Sequence, residues 1–599
     1  MDRVFRGKKE VILLDGEEDF AVLPPRDQPR AFLHGSLIGT NPEALADRSR
    51  FDDVFGRFVV AVHDPGRGSL ALHTDRYGFA PLYRAETADR LYFSTRLRPF
   101  VERGIVPGEP DLAALGELLA FQLCLGERTL LPGVSNVAAG TTLRIDLDDL
   151  TTTRERTWDP GTLLRGPRVP FSEVSDELLA LFLDAHRQCT ADVERVAVTL
   201  SGGMDTRCLL AAVLHLGREV TAYHVGVAGS RAERYTRRIA ELCDVPLTAL
   251  LLDADFGARY HGLLRRVVAA SEGMKFVPQP EMLWLRDAVE TPAVVLHGAF
   301  GEIAKLHVLR DFRLDAAALA ADRSHLPDLL WGRFADRLEW NLGVFSPDAR
   351  AALGAGIRAR WREKLAAFDP DLGVPEVLQL LYFDEFVKSA RYGHQIWHER
   401  VPTRFPFMEP RFVDCLLRVR TEDRLEARFQ LHVLERIHPA LRRLPDENTG
   451  ASADAPRAWT GLVRWADRAR VALFDSKVGA HHGDLLGWVQ RMDPPPEALV
   501  EESAADPLYD RSSLEALVRD VRDVERRSPP LRALALRRAR KAAQALQTFF
   551  LTELTRRFLR GDARDAGERG GAGGRYPEAG SSVRAAAPPE SAKGGRAAR

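Results

Sequence analysis

The sequence predicts two successive folds: a β-rich α+β part, then an α/β part built on a parallel, doubly wound sheet. Three observations predict this. Short apolar runs broken by turn signals fill residues 1–160. Strand-like runs then alternate with helical stretches over residues 169–453. Within the second part, Val196-Ala197-Val198-Thr199-Leu200-Ser201-Gly202-Gly203-Met204-Asp205-Thr206 reads as a buried strand, a small-residue turn and the start of a helix.

A length of 599 residues suits two to four domains, at about 150 residues each. The formal net charge of -1 gives no bulk attraction to nucleic acid or an anionic membrane. Cys124, Cys189, Cys208, Cys243 and Cys415 form no Cys-x-x-Cys pair. That pattern argues against a zinc site or a disulfide framework and fits a reducing cytoplasm. The charged start Met-Asp-Arg lacks a secretory signal, and no apolar run reaches the roughly 18 residues of a membrane span.

In the first part, Val11-Ile12-Leu13-Leu14 and Phe20-Ala21-Val22-Leu23 read as short strands. Residues 55–64 form a longer strand, Pro65-Gly66-Arg67-Gly68 a turn, and residues 69–74 the returning strand of a hairpin. Leu91-Tyr92-Phe93-Ser94-Thr95 is a further strand.

The turn at residues 200–206 organises the second part. Gly202 and Gly203 permit unusual backbone angles and close approach of a ligand. Cys208 to Leu214 continue as an apolar helix that Gly217 stops. A strand entering a helix this way leaves backbone N–H groups aimed at one spot, where the helix dipole favours negative charge. The hydroxyls of Ser201 and Thr206 can add donors. Asp205 brings a negative charge to that anion site, and a divalent cation bridging it to a phosphate resolves the conflict. An ordinary turn with a helix-capping carboxylate is the alternative. Further strands are read at residues 219–227, 247–252 and 292–298, with a helix at 231–242. Ligands are expected at the carboxyl ends of such strands.

The turn is similar to the pyrophosphate loop, SGGxDS/T, of ATP pyrophosphatases. Residues 55–95 resemble the glutaminase domain of asparagine synthetase, with GxFxxAxxD, DRxG, PLY and FST segments in that family's order. His34-Gly35-Ser36-Leu37-Ile38, Gly133-Val134, residues 139–143 and Trp158-Asp159-Pro160 extend the likeness. His297-Gly298-Ala299-Phe300-Gly301-Glu302 resembles the family's second loop, SGxGxDE, and residues 404–410 resemble RxPFLD.

The resemblance implies an α+β, Ntn-hydrolase-like (glutaminase-like) domain over residues 1–160. An α/β doubly wound ATP-pyrophosphatase domain (adenine nucleotide alpha hydrolase-like) follows over 169–453. A helical extension at 454–560 and a disordered tail at 561–599 complete the expectation. It implies ATP and pyrophosphate binding by Leu200, Ser201, Gly202, Gly203, Met204, Asp205, Thr206, Gly226 and Gly298, and Mg²⁺ binding by Asp205 and Glu302. Gly229-Ser230 resembles a loop near the adenosine, and Glu272-Gly273-Met274 a turn near the substrate.

Several positions depart from the family pattern. The glutaminase nucleophile is a cysteine directly after Met1; here Asp2 stands there. Lactam synthetases and lasso-peptide cyclases of the superfamily also lack that cysteine. Ala299 stands where asparagine synthetases have a glutamate and β-lactam synthetases a tyrosine for proton transfer. Asn448 is the nearest match to a family lysine that stabilises phosphate charge. No catalytic residue is assigned.

Arg400 and Arg404 could face phosphate, whereas Phe405, Phe407 and Met408 read as core. His394 and His398 lie four apart on a helix, and packing explains them better than zinc; His481-His482 reads as a polar loop. Residues 531–559 form a basic amphipathic helix, packed on its own domain or docked on a partner or membrane surface.

The resemblance implies a cytoplasmic asparagine synthase-like ligase. It would adenylate a small-molecule or peptide carboxylate with ATP, form an amide with an amine donor, and not use its own glutaminase. A homodimer or a pathway partner protein is compatible with this; nucleic acid and a membrane span are not expected. The alternative is a non-catalytic relative that binds a nucleotide or a partner.

Overall fold

Alternating apolar residues build the first part as two sheets around a shared core. Its strands are β1 (Arg3–Arg6), β2 (Glu10–Leu13), β3 (Ala21–Val22), β4 (Arg30–Leu37), β5 (Gly56–Asp64), β6 (Ser69–Thr74), β7 (Tyr83–Glu86), β8 (Arg90–Ser94), β9 (Ser135–Asn136), β10 (Thr141–Asp146) and β11 (Thr152–Arg156). One sheet has the order β1-β2-β8-β7-β9, the other β11-β10-β6-β5-β4-β3. Val11, Leu13, Leu91 and Phe93 of the first sheet share a core with Val59, Ala61, Leu70, Leu72 and Leu143 of the second. The hairpin expected at residues 55–74 is present, with Asp64 opposite Ser69.

The computed structural model describes residues 3–6, 9–15, 21–22, 30–40, 51–277, 279–290, 294–306, 319, 322–398, 400–425, 427–447, 450–452, 463, 484–523 and 529–561. Asp2, Asn448, His481, His482 and residues 562–599 lie outside them.

Asp75, directly after β6, is fully buried. Its carboxylate accepts the amides of Phe58 (3.2 Å), Tyr77 (3.0 Å), Phe79 (2.9 Å) and Ala80 (2.8 Å). Burial raises its pKa, and the four amides pull it back down. The Asp-Arg-x-Gly segment is thus a folding device. Its Arg76 lies over the Trp158 ring and pairs with Asp414, on helix Pro410–Leu417.

The second part carries β12 (Val196–Thr199), β13 (Val220–Gly226), β14 (Leu247–Leu251), β15 (Val294–Leu296) and β16 (Thr403–Arg404). Every pairing is parallel, in the order β14-β13-β12-β15-β16. β16 was not expected: two residues are too few to show a period of two. Strand order reverses between β12 and β15, and open parallel sheets leave a ligand crevice at such a point.

A long helical run, Val374–Leu381, a π-helical turn Tyr382–Phe386 and Val387–His398, links the two parts. Glu385 accepts the Gly126 amide (3.0 Å) and pairs with Lys364 (2.8 Å) and Lys388 (2.7 Å). Lys388 donates to the carbonyls of Cys124 (2.7 Å) and Gly126 (2.6 Å), and Arg391 to that of Gly78 (2.6 Å).

The terminal helix, Pro529–Arg560, buries Leu546, Phe549, Phe550 and Leu554 and contacts helices Tyr260–Ala270, Leu485–Arg491 and Arg511–Arg522. Its apolar face from Leu546 onward is therefore covered by its own chain, while Leu534 is exposed. Among the described residues no helix is long and apolar enough to cross a membrane.

Asp75→Ala strands four buried amides. It is expected to cost about 3 kcal/mol or more of unfolding free energy in urea denaturation, against near-neutral change for an exposed substitution such as Asp89→Ala.

Candidate functional site

β12 ends at Thr199 and helix Met204–His215 starts five residues later, with Gly203 as its cap. Leu200 prolongs the strand, its amide donating to the Tyr223 carbonyl (2.8 Å). Ser201, Gly202 and Gly203 then make the turn. Its amides, expected to lie open, are taken by the chain itself. The Ser201 amide donates to Thr206 Oγ1 (3.1 Å), the Gly203 amide to Ser201 Oγ (3.1 Å), and the Gly202 amide to Glu447 Oε2 (2.9 Å). The hydroxyls of Ser201 and Thr206 thus brace the turn, because buried amides need partners.

The loop after β15 touches this turn. A Cβ on Gly298 would lie 2.7 Å from Thr206 Cγ2, and one on Gly301 would lie 2.6 Å from Asp205 Cγ. Only glycine allows that approach at either position. The expected residues Leu200 to Thr206, Gly298 and Glu302 are therefore brought together. Gly226 ends β13 at the same end of the sheet, and Ser230 caps helix Arg231–Leu242.

Asp205 Oδ2 receives Lys305 Nζ at 2.6 Å, and Asp205 Oδ1 accepts from Gln430 Nε2 at 3.0 Å. Gln430 also donates to the Gly301 carbonyl (3.0 Å), tying both loops. Glu302 accepts from the Tyr382 hydroxyl at 2.7 Å, and the π-helical turn presents that tyrosine. Burial raises the Glu302 carboxyl, with the Asp205 charge adding to the effect.

Two carboxylates of this kind fit a hard cation that completes its shell on phosphate oxygens. Burial disfavours the Glu302 anion, so a cation beside it would hold it ionised. Among the described residues no three His, Cys, Asp or Glu side chains gather as a self-sufficient metal cluster.

Arg207 is 1% exposed. It donates to the carbonyls of Gly202 (2.6 Å), Leu444 (2.9 Å), Leu441 (3.3 Å) and Pro445. That guanidinium clamps residues 441–447 over the turn, and the Glu447 amide donates back to the Gly202 carbonyl (3.1 Å).

Sequence reasoning missed Lys305, Tyr382, Gln430, Arg207 and Glu447. Lys305 follows Glu302 by three residues, and Glu447 lies in the stretch searched for a lysine; those were the available signals.

The phosphate-facing role of Arg400 and Arg404 is corrected, and the packing reading of His394, His398, Phe405, Phe407 and Met408 holds. Arg404 does not face phosphate: it pairs with Asp192 (2.5 Å) and donates to the Cys189 carbonyl (2.8 Å). Arg400 pairs with Asp287 (3.6 Å). Glu272 is buried and accepts the Leu97 amide (2.6 Å), which ties it to the first part of the chain. His394 and His398 contact the Phe405 ring, His394 also the His297 ring, and burial keeps all three imidazoles neutral. Phe405, Phe407 and Met408 are buried core.

A glutamine amidotransferase domain model matches residues 47–158. The carboxyethyl-arginine β-lactam-synthase of Streptomyces clavuligerus is 29% identical over 196 residues, covering 33% of this chain and 35% of that protein. A glutamine-hydrolysing asparagine synthetase 2 of Bacillus subtilis is 28% identical over 187 residues, covering 29% of this chain and 24% of that protein. The chain is similar, over part of its length, to members of the asparagine synthetase superfamily. Identity is modest, and the matches span about a third and a quarter of the two curated relatives. The amidotransferase match and the two packed sheets fit an Ntn-like first domain. A solved B. subtilis glutamine phosphoribosylpyrophosphate amidotransferase, complexed with ADP and GMP, aligns over 53% of this chain and 61% of its own. The TM-score is 0.15 at 10% identity, too low to bear on the fold.

Burial lifts the Glu272 carboxyl from 4.5 to about 7. The folded state then holds this proton more tightly than the unfolded one. The stability it confers is complete below pH 4.5 and is lost as the pH rises to about 7. Denaturation across that range is expected to show wild type losing up to about 3 kcal/mol relative to Glu272→Gln. Parallel curves for the two proteins would refute it.

Proposed function

We propose that the chain is an asparagine synthase-like, ATP-dependent carbon–nitrogen ligase. One observation carries the reading: the glycine turn after β12 places Asp205 against the loop that bears Glu302, where the strand order reverses. The names of the two relatives, a β-lactam synthase and an asparagine synthetase, support the reaction class.

In this reading residues 169–453 form an ATP-pyrophosphatase-type domain. The turn amides, Thr206 and the helix N-terminus hold the phosphates, while Gly226 lies toward the nucleoside. Asp205 and Glu302 hold Mg²⁺, which when bound neutralises charge on the departing pyrophosphate. A substrate carboxylate attacks the α-phosphorus and pyrophosphate leaves. An amine then attacks the acyl carbon and AMP leaves. Residues 1–160 act as a scaffold in this scheme. Their one cysteine, Cys124, is buried with its thiol pKa pushed well up, which suits packing and not nucleophilic attack.

A non-ligating nucleotide-binding relative is the second reading. Ala299, with no proton-transfer group, favours it.

ATP, Mg²⁺ and a panel of carboxylates and amines test the two. Release of pyrophosphate and AMP is expected, falling at least about 100-fold in Asp205→Asn. ATP binding without release from any substrate pair would favour the second reading.

A further inference from the structure

Two of the chain's own charged groups stand where the proposed function puts ligand. Lys305 Nζ lies 2.6 Å from Asp205 Oδ2. The carboxylates of Asp205, Asp446 and Glu302 surround this ammonium and hold its pKa up against burial. A cation is therefore already installed on the aspartate assigned to the metal.

Glu447 supplies the matching anion. Its side chain is buried, and Oε2 accepts the Gly202 amide at 2.9 Å. A Cβ on Gly203 would lie 3.1 Å from Oε1, so both carboxylate oxygens sit over the two glycines. A carboxylate oxygen on the Gly202 amide, with its second oxygen beside Gly203 at a helix N-terminus, stands where one edge of a phosphate would sit.

The geometry also shows how these groups can leave. The backbone of residues 441–447 is held by Arg207 on the carbonyls of Leu441, Leu444 and Pro445, and by the Glu447 amide on the Gly202 carbonyl. None of these bonds uses the Glu447 carboxylate. It can rotate off the Gly202 amide while the loop stays clamped. Lys305 ends a flexible four-carbon stem and needs only to change partners.

We infer that Lys305 and Glu447 are exchange groups for nucleotide. Phosphate displaces the Glu447 carboxylate from the Gly202 amide, and Lys305 passes from Asp205 to the phosphates. This rests on the ligase reading's phosphate site, and not on its amide-forming step.

Isothermal titration calorimetry with inorganic pyrophosphate and with ATP, each with and without Mg²⁺, tests the exchange without reference to activity. Glu447→Gln removes the competing charge and is expected to bind pyrophosphate about tenfold tighter than wild type. Lys305→Met is expected to bind it about tenfold more weakly, with Lys305→Arg restoring much of the loss. Each protein's melting temperature verifies folding, and Glu447→Ser and Lys305→Gln replace any variant that fails. Opposite shifts from the two positions support the exchange. Wild-type binding with unchanged affinity in both variants overturns it and leaves the phosphate site standing. No binding of pyrophosphate or ATP to any of the proteins overturns both.

Discussion

The corner depends on one buried guanidinium. Arg207 sits in the first turn of the helix after β12, and its donors reach four carbonyls from two segments far apart in sequence. A buried cation is tolerated only when its hydrogen bonds are met. The helix that carries it, the Gly202 turn and residues 441–447 are therefore obliged to stay together. In the free chain Glu447 occupies the Gly202 amide, and Lys305 and Gln430 occupy the Asp205 carboxylate.

The helical run at residues 374–398 links this corner to the first part of the chain. Its middle, the π-helical turn, does two things at once. Tyr382 reaches Glu302, and Glu385 reaches the Gly126 amide. A regular helix would space these side chains differently, and the inserted turn aims both. The first part is thus joined to the candidate site through this one helical run. Asp75 and Arg76 serve the same seam from the other side, one by satisfying four amides and the other by pairing with Asp414.

Local features were legible in the sequence. The hairpin over residues 55–74, the helix at Arg231–Leu242 and the turn at residues 200–206 are each written in a few neighbouring residues. Periodicity and glycine placement act over that range. The partners of Arg400 and Arg404 are illegible in the sequence for the opposite reason. An arginine beside a proposed site looks like a phosphate ligand until its carboxylate partner is known, and Asp287 and Asp192 are brought to them only by folding. β16 was invisible because two residues have no pattern; its neighbour β15 makes it a strand.

The sequence by itself determined the strand–glycine turn–helix at residues 196–215, which follows from residue type and short spacing; the coupling of Asp205 with Glu302 was implied by the family resemblance. Only the tertiary structure decided who occupies the turn. Lys305 on Asp205, Glu447 on Gly202 and Tyr382 on Glu302 join residues separated by 100, 245 and 80 positions. Charge pairing across such distances depends on which strand ends lie side by side, and sheet order is a property of the packed chain.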